Sequence, residues 1–505
     1  MYKAIDDFLN KTTMYRLLVY YLGGLLVVAF ILGLFGNLGF NPVALIASTA
    51  ILLAACWGIN RVFASIFKVP ANHESSIITA LILALLITPS FDKYGIVFLL
   101  AASGLAMASK YVLTIKNVHI FNPAALAVTL TALGPQQYAS WWVGTAVMLP
   151  FVIAGGLLVI RKTRRWHMVL TFFVTTFIAT GIFAWLGNHD ALTALQQAAL
   201  TSPVFFLGFV MLTEPLTSPS TRGKQMLFGG LVGLLLPPQV NILGFYTSPE
   251  ISIVIANVFA YIISPRVRLS PTLVEKYSVA ENSIDFVFNP GGNLTYKPGQ
   301  YVEWTLPHDK VDDRGNRRYF TLASSPTEPT LRLGAKFYEP SSSYKKALLS
   351  MAKDDSIIAT QVSGDFVMPQ NKKQKLAFIA GGIGVTPFRS MTKYLLDTGE
   401  QRDITMLYAA NVVQDVAYME IFEQARQELG MMTTYVISQA EHNPNAHTLA
   451  GRIDTDIIRT NIPDYMNRVF YISGSHQMVD AVEHALRGLG VPKKSIKTDF
   501  FPGYS

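Results

Sequence analysis

The chain has 505 residues, of which 51% are hydrophobic and 15% are charged, and its mean hydropathy is +0.33. A chain this long and this apolar is not one ordinary soluble domain, so we expect at least two modules. Residues 1–270 hold 16 Lys and Arg against 7 Asp and Glu, whereas the remaining residues hold 25 against 26. Cations spaced between apolar runs indicate an anionic membrane surface as the partner and argue against nucleic acid.

The chain contains a single cysteine, Cys56, which lies within an apolar run. One cysteine excludes an intramolecular disulfide and an iron–sulfur cluster ligated only by cysteines of this chain. Cys56 is predicted to be a core residue, and no metal site is predicted.

Apolar stretches recur through the first 270 residues. A bilayer core needs about 20 helical residues, and several stretches are shorter and contain Pro or Gly, as at residues 87–89 and 121–123. Such interruptions predict half-helices that meet near the membrane midplane. We therefore expect a polytopic α-helical membrane domain with about ten crossings. The stretches are 15–38, 43–66, 75–90, 94–109, 118–134, 141–160, 166–186, 192–213, 225–243 and 250–265.

Every second loop between these stretches is basic, and only Lys93 breaks the alternation. Because loops rich in Lys and Arg remain in the cytoplasm, both termini are predicted to be cytoplasmic in a multi-pass protein of the cell membrane. The basic positions are Lys3, Lys11, Arg16, Arg61, Lys68, Lys110, Lys116, residues 161–165, Arg222, Lys224, Arg266 and Arg268.

Residues 77–89 and 206–215 resemble diverged copies of each other. The first ends in Thr88-Pro89 and the second in Thr213-Glu214-Pro215. Helices broken at matching places in two halves indicate an internal repeat that encloses a site at the membrane midplane. The alternative is that a Thr–Pro sequence simply ends two helices.

Three polar residues in the apolar half are candidate ligand contacts. Glu214 is acidic at the end of a long apolar run, and an ionisable group at membrane depth is usually functional. Asn122 and His119 could donate hydrogen bonds to a buried ligand. The alternatives are that Glu214 is an interfacial carboxylate near the basic residues that follow it, and that Asn122 or His119 caps the helix beginning at Pro123.

Two motifs carry a family resemblance. Residues 116–125 read Lys-Asn-Val-His-Ile-Phe-Asn-Pro-Ala-Ala, and residues 211–219 read Met-Leu-Thr-Glu-Pro-Leu-Thr-Ser-Pro. With the Arg-Gly-Lys and Phe-Gly that follow, residues 70–265 resemble the RnfD/NqrB family, whose members are membrane components of the Rnf complex and of the Na+-translocating NADH:quinone reductase. The resemblance implies an internally repeated helical fold that holds a flavin within the membrane.

Many members of that family carry FMN covalently on a Thr in a Ser-Gly-Ala-Thr motif. The corresponding residues 200–205 read Leu-Thr-Ser-Pro-Val-Phe, so Thr201 is not in the required context. We therefore expect a non-covalent flavin (FMN or riboflavin) or a quinone near His119, Asn122 and Glu214.

The pattern changes after Arg268 to short alternating apolar runs with turns between them. Residues 283–288 and 300–304 predict strands of a small β-barrel. From Leu376 the order of strand, Gly-rich turn and helix predicts a parallel α/β sheet. The predicted domains are therefore a transmembrane domain at 1–270, a FAD-binding β-barrel at 271–370 and an NAD(P)-binding α/β domain at 371–505.

The first chemical motif of this half is Arg318-Tyr319-Phe320-Thr321. An Arg, an aromatic ring and a hydroxyl on one strand can pair with a pyrophosphate, cover an isoalloxazine ring and hydrogen-bond flavin N5. Alone the motif is weak, because Arg and Phe commonly alternate on the edge of a barrel.

The second motif, at residues 378–387, is an apolar strand that enters a Gly-rich turn and then a helix. Glycines let backbone amides approach a phosphate, and the helix N-terminus favours an anion. The alternative is a tight turn with a purely structural role. The residues of this motif are Gly381, Gly382, Gly384, Thr386 and Pro387.

The order and spacing of the motifs in residues 275–505 resemble the ferredoxin-NADP+ reductase superfamily. Arg-x-Phe-Thr is followed by Ser341-Ser342-Ser343, Gly364-Asp365-Phe366, Gly-Gly-x-Gly-Val-Thr-Pro, Gly-x-x-x-Met and an aromatic terminus. The sequence departs from many relatives in having Ser-Gly-Ser at residues 473–475 instead of Cys-Gly-Pro.

This second resemblance implies a role for each matching residue. The strand motif and two serines would bind FAD, and the Gly-rich turn with the Gly-x-x-x-Met segment would bind the nicotinamide nucleotide. An aromatic residue near the end would cover the flavin face, and Thr321 and Tyr504 would be catalytic. The cofactor-binding residues are Arg318, Tyr319, Phe320, Thr321, Ser342, Ser343, Gly381, Gly382, Gly384, Thr386, Pro387, Gly474, Met478, Phe501 and Tyr504.

Together these features predict an oxidoreductase that passes electrons from NAD(P)H through FAD to a flavin or quinone in the membrane domain, or to an acceptor across the membrane. One alternative is a redox-driven ion pump or solute transporter subunit. In either case, partner subunits or a homo-oligomer are possible. A haem-type ferric reductase is disfavoured because it needs paired intramembrane histidines. The histidines of the apolar half, at positions 73, 119, 167 and 189, all lie at predicted helix ends or in loops.

Overall fold

The computed structural model describes residues 5–6, 8–9, 12–69, 73–115, 118–134, 137–242, 244–264, 266, 268–312, 314–440 and 447–499. The chain forms two compact units, Met1–Val267 and Arg268–Ser505. The first unit is helical, and the second combines β-strands with helices.

The described part of the first unit consists of α-helices, short loops and two small β-hairpins. The helices are α1 (Met14–Leu34), α2 (Pro42–Ile66), α3 (His73–Leu86), α4 (Lys93–Val112), α5 (Pro123–Leu133), α6 (Leu149–Thr163), α7 (Trp166–Leu186), α8 (Ala191–Leu200), α9 (Val204–Phe206), α10 (Arg222–Leu235) and α11 (Pro249–Ile263), with a π-helix at Leu207–Met211. The hairpins pair β1 (Thr114–Ile115) with β2 (Val118–His119) and β3 (Asn241–Ile242) with β4 (Phe245–Tyr246).

Helices α2, α5 and α11 each begin at a proline that follows a polar cap. The side chains of Asn41, Asn122 and Ser248 accept hydrogen bonds from backbone N–H groups in the first turn. Proline suits the first helical position because its N–H would have no partner there. Asn122 therefore caps α5, as one of its two sequence interpretations proposed.

Among the described residues, four helices are long and apolar enough to cross a membrane: α1, α2, α4 and α7. A fifth candidate joins α8 to residues 204–211, with a bend of 58° between the two parts. Helices α3, α5 and α11 are apolar but shorter. About ten crossings thus remain a prediction, because several apolar runs form helices of only half the necessary length.

The elements of the first unit occur twice in the same order. A long helix (α2, then α7) is followed by a helix that ends before a Thr–Pro sequence. Next come another helix (α4, then α10), a β-hairpin, and a helix that begins with proline (α5, then α11). The two breaks follow Leu86 and Met211, where the similarity between residues 77–89 and 206–215 predicts them. This order supports an internal repeat.

Helices α7 and α10 pack closely because two glycines on α10 face α7. A Cβ atom on Gly229 would overlap the carbonyl oxygen of Met168, and one on Gly233 would overlap the side chain of Thr175. Small residues spaced four apart let two helix backbones approach in this way. The opposite face of α7 is left exposed.

The second unit contains thirteen strands and five α-helices among its described residues. The strands are β5 (Arg268–Leu269), β6 (Thr272–Ala280), β7 (Ser283–Asn289), β8 (Tyr301–Thr305), β9 (Arg317–Thr321), β10 (Leu331–Lys336), β11 (Ile358–Ser363), β12 (Leu376–Gly381), β13 (Ile404–Ala410), β14 (Met432–Ile437), β15 (Thr448–Ala450), β16 (Val469–Ser473) and β17 (Ile496–Asp499). The helices are α12 (Ser343–Ser350), α13 (Thr386–Thr398), α14 (Met419–Leu429), α15 (Thr455–Asn461) and α16 (His476–Gly488).

Strands β5 to β11 form two antiparallel sheets, ordered β10-β7-β6 and β5-β11-β8-β9. Strands β12 to β17 form one parallel sheet, ordered β15-β14-β13-β12-β16-β17. Antiparallel strands thus precede a parallel α/β sheet, as the sequence predicts.

Strand β12 lies at the centre of the parallel sheet and is buried along Leu376–Ala380. Chain order reverses here, because β13 lies on one side of β12 and β16 on the other. In open α/β sheets, ligands bind beyond the carboxyl ends of strands at such a reversal. The Gly-rich turn at Gly382–Val385 occupies this position.

Candidate functional site

Strand β9 divides the residues of the first motif between its two faces, because side chains alternate along a strand. Arg318 lies over the ring of Tyr344 at 5.1 Å, and the ring of Phe320 lies 6.2 Å from the same tyrosine. Tyr319 instead donates a hydrogen bond of 2.6 Å to Glu303. Arg318 and Phe320 therefore share a face, and Tyr319 points away from them.

Thr321 ends β9 and is 4% exposed. Its hydroxyl has no hydrogen-bond partner within the part of the chain that the structure describes. Buried hydroxyls nearly always have a partner, so this group fits the predicted contact with a flavin ring atom.

The two serines of the predicted pyrophosphate site cap helix α12, and their polar groups have partners. Ser342 accepts a hydrogen bond from the backbone of Lys345 at 3.3 Å. The N–H of Ser343 donates to the Asp312 carboxylate at 2.9 Å, and its hydroxyl accepts from the Asp312 N–H at 3.0 Å. A pyrophosphate at this helix end would compete with Asp312 for the amide of Ser343.

The charges around α12 favour an anion. Burial, together with the nearby charges of Arg318 and Arg314, lowers the pKa of Lys345 to about 8. Arg318 is held in place by hydrogen bonds from its guanidinium to the carbonyl oxygens of Arg314, Gly315 and Arg317. A diphosphate would offset the repulsion among these cations, so the residues present fit FAD.

The Gly-rich turn after β12 packs directly against the turn after β16. A Cβ atom on Gly384 would lie 2.6 Å from the Cα of Gly474, and a Cβ on Gly381 would overlap the sulfur of Met478. Gly382 has a φ of 52°, which is unfavourable for residues with side chains. The predicted nucleotide residues are therefore brought together, and glycine is needed there for close backbone contact.

Thr386 and Pro387 form the first turn of α13, directly after this Gly-rich turn. Pro387 suits the N-terminal turn, where backbone N–H groups have no intrahelical partner. The N-terminus of α13 consequently points its free backbone donors toward the end of the sheet where a phosphate is expected.

A connection between α13 and the flavin strand was not anticipated from the sequence. Arg389 donates to the carbonyl oxygen of Ala323 at 2.8 Å and to both oxygens of Glu328. Ser390 donates to the carbonyl oxygen of Ser324 at 2.6 Å. The sequence contained one signal for this connection, because Arg389 is a charged residue on the buried face of an amphipathic helix.

Burial alone would raise the pKa of Glu328. Hydrogen bonding and charge from Arg389, together with the backbone N–H of Ser325, hold the pKa of Glu328 below its ordinary value instead. The pair is therefore ionised at neutral pH and ties the two halves of this unit together.

Phe501 and Tyr504 lie outside the described residues, so the predicted aromatic cover of the flavin stays a prediction. The last described strand, β17, pairs with β16 in parallel, with Asp499 opposite Ser473.

The helical unit brings its three candidate residues into one cluster. The Asn122 amide donates to Glu214 at 2.8 Å, and His119 Nε2 lies 4.0 Å from the same carboxylate. Thr217 also donates to Glu214, at 2.9 Å, and the backbone N–H of Asn122 donates to Asn257. Glu214 is thus part of a connected polar network between the second helix break and the start of α5.

A small, partly open cleft adjoins this cluster. Its enclosed space of about 10 Å³ holds about one water molecule, so a ring system or a head group would need the cleft to widen. Polar and cationic side chains form part of its wall. The lining residues include His119, Thr217, Asn257, Tyr261, Ser264 and Arg266.

Comparison with known proteins places similarity in the reductase half. The family described as the oxidoreductase NAD-binding domain matches residues 378–484. The reductase subunit Stc4 of stachydrine N-demethylase from Rhizobium meliloti is 26% identical over 233 residues, which cover 45% of this chain and 65% of the relative. The reductase component of propane 2-monooxygenase from Rhodococcus jostii is 28% identical over 212 residues, which cover 41% of this chain and 55% of the relative.

Flavohemoprotein A of Dictyostelium discoideum is 24% identical and is matched over 58% of its length. The chain thus spans between about half and two thirds of the length of these relatives. Among solved structures, the flavohem-like FAD/NAD-binding domain of nitric oxide dioxygenase from Vibrio cholerae matches 46% of this chain and 98% of its own, with 21% identity and a TM-score of 0.42.

The C-terminal half therefore contains an oxidoreductase-type NAD-binding domain and is similar to reductase components and flavohemoproteins, which supports FAD and NAD(P)H as its cofactors. These parts of the sequence prediction are confirmed. The resemblance of residues 70–265 to the RnfD/NqrB family remains a prediction.

Proposed function

We propose that the protein is a multi-pass enzyme of the cell membrane that passes electrons from NAD(P)H, through FAD in the second unit, to a quinone or a non-covalent flavin held by the helical unit. The observation that carries this proposal is the joining of His119, Asn122 and Glu214 beside a cleft in an apolar helical unit. A reductase is fused to that unit in the same chain.

Four features support the membrane location: the long apolar helices, the alternation of basic loops, the repeated order of elements and the exposed apolar side chains. The helical unit leaves large residues such as Val27, Leu170 and Ile178 about half exposed. Side chains of this kind are stable in contact with lipid. Both termini are then cytoplasmic, where NAD(P)H is available.

In the proposed first step, the reductase unit acts through residues of its strand motif and its Gly-rich turn. Bound FAD supplies hydride acceptance at N5 and release of single electrons. Thr321 offers its buried hydroxyl to the flavin ring, Phe320 lies beside the predicted ring position, and Arg318 adds positive charge for the diphosphate. The Gly-rich turn at Gly382–Val385 lets a nucleotide phosphate approach the protein backbone at the end of the sheet.

The helical cluster has the side chains needed to bind an electron acceptor that takes up protons together with electrons. His119 and Arg266 carry N–H groups that can donate to carbonyl oxygens of a bound ring, and Glu214, which accepts from the Thr217 hydroxyl, can hold a proton beside them. Thr201 is exposed and donates to the carbonyl oxygen of Gln197.

The repeated, broken helices also favour a second candidate, a redox-driven ion pump or transporter, because helices broken at matching places are typical of transport sites. The haem-type reductase is less favoured, since His73, His119, His167 and His189 lie at helix ends or in loops. A stack of two haems needs facing histidines within the helices.

The test uses the full chain, purified in detergent and reconstituted in lipid vesicles. NADH or NADPH should reduce a short-chain quinone, and flavin extraction should show whether the chain holds one FAD or a second flavin as well. Quinone reduction without ion uptake would support the oxidoreductase alone, whereas coupled uptake would support the pump. Reduction of soluble dyes with no quinone reduction and a single flavin would contradict the proposal.

A further inference from the structure

Helix α7 carries an uninterrupted apolar stripe on the face that points away from α10. Its side chains are 48–74% exposed and recur every three or four residues, so they lie on one side of the helix. The buried face of the same helix contains Met168 and Phe172, which adjoin the glycines of α10. The stripe consists of Trp166, Leu170, Val174, Ile178, Ile182 and Trp185.

The length of the stripe and the residues at its two ends are typical of a lipid-facing surface. From Trp166 to Trp185 the helix rises about 28 Å at ~1.5 Å per residue, which matches the ~30 Å hydrocarbon core of a bilayer. Tryptophan is enriched at both membrane interfaces, and here it closes both ends of the stripe.

The two ends differ in charge. The guanidinium of Arg222, the first residue of α10, lies over the ring of Trp166 at 5.7 Å, and both side chains are exposed. Arg164 is also exposed, two residues before Trp166. At the other end, residues 178–186 contain no charged side chain.

Neighbouring contacts place other basic residues at the same end of the helical unit as Arg222. Lys224 donates to the carbonyl oxygen of Ile263 at the end of α11. Arg161, at the end of α6, pairs with Asp6 before α1 at 2.7 Å. Trp166 therefore lies at a basic end, which the charge pattern assigns to the cytoplasm.

We propose that Arg222 and Trp166 form a binding site for the head group of an anionic phospholipid of the cytoplasmic leaflet, whose acyl chains lie along Leu170 and Val174. An anionic phospholipid has a charged head group and apolar acyl chains. The site matches both parts, because a cation stacked on an interfacial ring lies at the end of an apolar stripe. On α10, Met226 and Leu227 are exposed one turn beyond Arg222 and extend the apolar surface. This inference rests on the proposed membrane location.

The experiment reconstitutes the full chain in vesicles of phosphatidylcholine, with and without phosphatidylglycerol that carries a quencher of tryptophan fluorescence. Retention of phosphatidylglycerol by the detergent-purified protein is measured in parallel by native mass spectrometry. Arg222→Gln should weaken phosphatidylglycerol binding about fivefold, as expected for ~1 kcal/mol per cation near an anionic surface. Trp185→Phe, at the uncharged end of the stripe, should leave that binding unchanged.

The control Arg459→Gln removes an exposed cation from the second unit and should behave as the unaltered protein does. Equal binding of phosphatidylglycerol by Arg222→Gln and the unaltered chain would overturn the inference while leaving the membrane location intact. Failure of the unaltered protein to enter either kind of vesicle would overturn both. The flavin absorbance of each variant reports that its reductase unit is folded.

Discussion

The guanidinium of Arg389 donates to the carbonyl oxygen of Ala323, two residues beyond Thr321, at a distance of 2.8 Å. This bond and the Ser390 bond to Ser324 fasten the helix after the nucleotide turn to the strand that carries the predicted flavin contact. The relative position of nicotinamide and flavin therefore depends on the buried pair of Arg389 and Glu328.

Replacing Arg389 by Met should destabilise the reductase unit. Removing one partner of a buried ion pair costs about 3–5 kcal/mol, because the other charge is left without compensation. Arg389→Lys should retain part of the stability and of the hydride-transfer rate. Denaturation of the full chain, monitored by FAD release, measures the stability, and stopped-flow reduction by NADH measures the rate. Lys393→Met, which removes a partly buried cation of α13 from its pair with Asp397, is the control. Equal stability of Arg389→Met and the unaltered chain would show that the Arg389–Glu328 pair does not hold the two halves of the reductase unit together.

Substitution of Thr321 by Val should slow flavin reduction about three- to tenfold, the range expected when one hydrogen bond to the cofactor is lost. Because the hydroxyl has no partner in the described chain, the same variant should be at least as stable as the unaltered protein when FAD is removed. Thr321→Ser should keep the rate. An unchanged rate in Thr321→Val would show that this hydroxyl does not serve the flavin.

Binding of FAD should weaken as the pH rises through 8. The flavin-free protein has a Lys345 pKa lowered to about 8, and a diphosphate stabilises the charged ammonium, which raises that pKa in the complex. Below pH 8, Lys345 is already protonated in the flavin-free protein, so FAD binding requires no proton uptake. Above pH 8, the affinity for FAD falls by up to about tenfold per pH unit, because binding takes up one proton. Titration of apo-protein with FAD tests this. Lys345→Met should abolish this dependence, while Lys346→Met, at an exposed neighbouring position, should retain it.

In the helical unit, Glu214→Gln should lower quinone reduction by about 10²-fold or more, as expected for loss of a general acid. Reduction of ferricyanide by NADH should stay unchanged, because that acceptor can take electrons from FAD directly. Glu250→Gln makes the same exchange at a second carboxyl of the helical unit, which is buried and accepts a hydrogen bond from Trp141 at 2.9 Å, and should preserve quinone reduction. Equal loss in both variants would indicate a general effect on folding.

Insertion of a large side chain at Gly233 should separate α7 from α10. Gly233→Leu is expected to cost about 1–3 kcal/mol of stability, the range for overpacking of a tight contact. Gly181→Leu changes a glycine of α7 that has open space around it and should be tolerated. Thermal unfolding in detergent compares the two, and similar midpoints would contradict the close packing.

The local features of the reductase were accessible from the sequence because they follow from short-range chemistry. Alternation along Arg318-Tyr319-Phe320-Thr321 fixes which side chains share a face, and the glycines after β12 predict a turn between strand and helix. Tyr319 alternates to the face opposite Arg318 and Phe320, and its hydroxyl reaches Glu303. Its predicted contact with the flavin stays a prediction.

Contacts between distant loops were not accessible. Asp312 and Ser343 are 31 positions apart, and Arg389 and Glu328 are 61 apart. No periodicity links such pairs. The Asp312–Ser343 contact joins two segments within the antiparallel half, and the Arg389–Glu328 contact arises only when that half packs against the parallel sheet. The number of membrane crossings was equally hard to derive, since a short apolar run has the same composition whether it spans a bilayer or forms half of a broken helix.

The contact between the turns at Gly384 and Gly474 limits how coenzyme choice can be altered in this enzyme. A methyl group at Gly384 would overlap the backbone of Gly474 and push the ends of β12 and β16 apart. Changes in preference between NADH and NADPH therefore have to arise at positions other than Gly384.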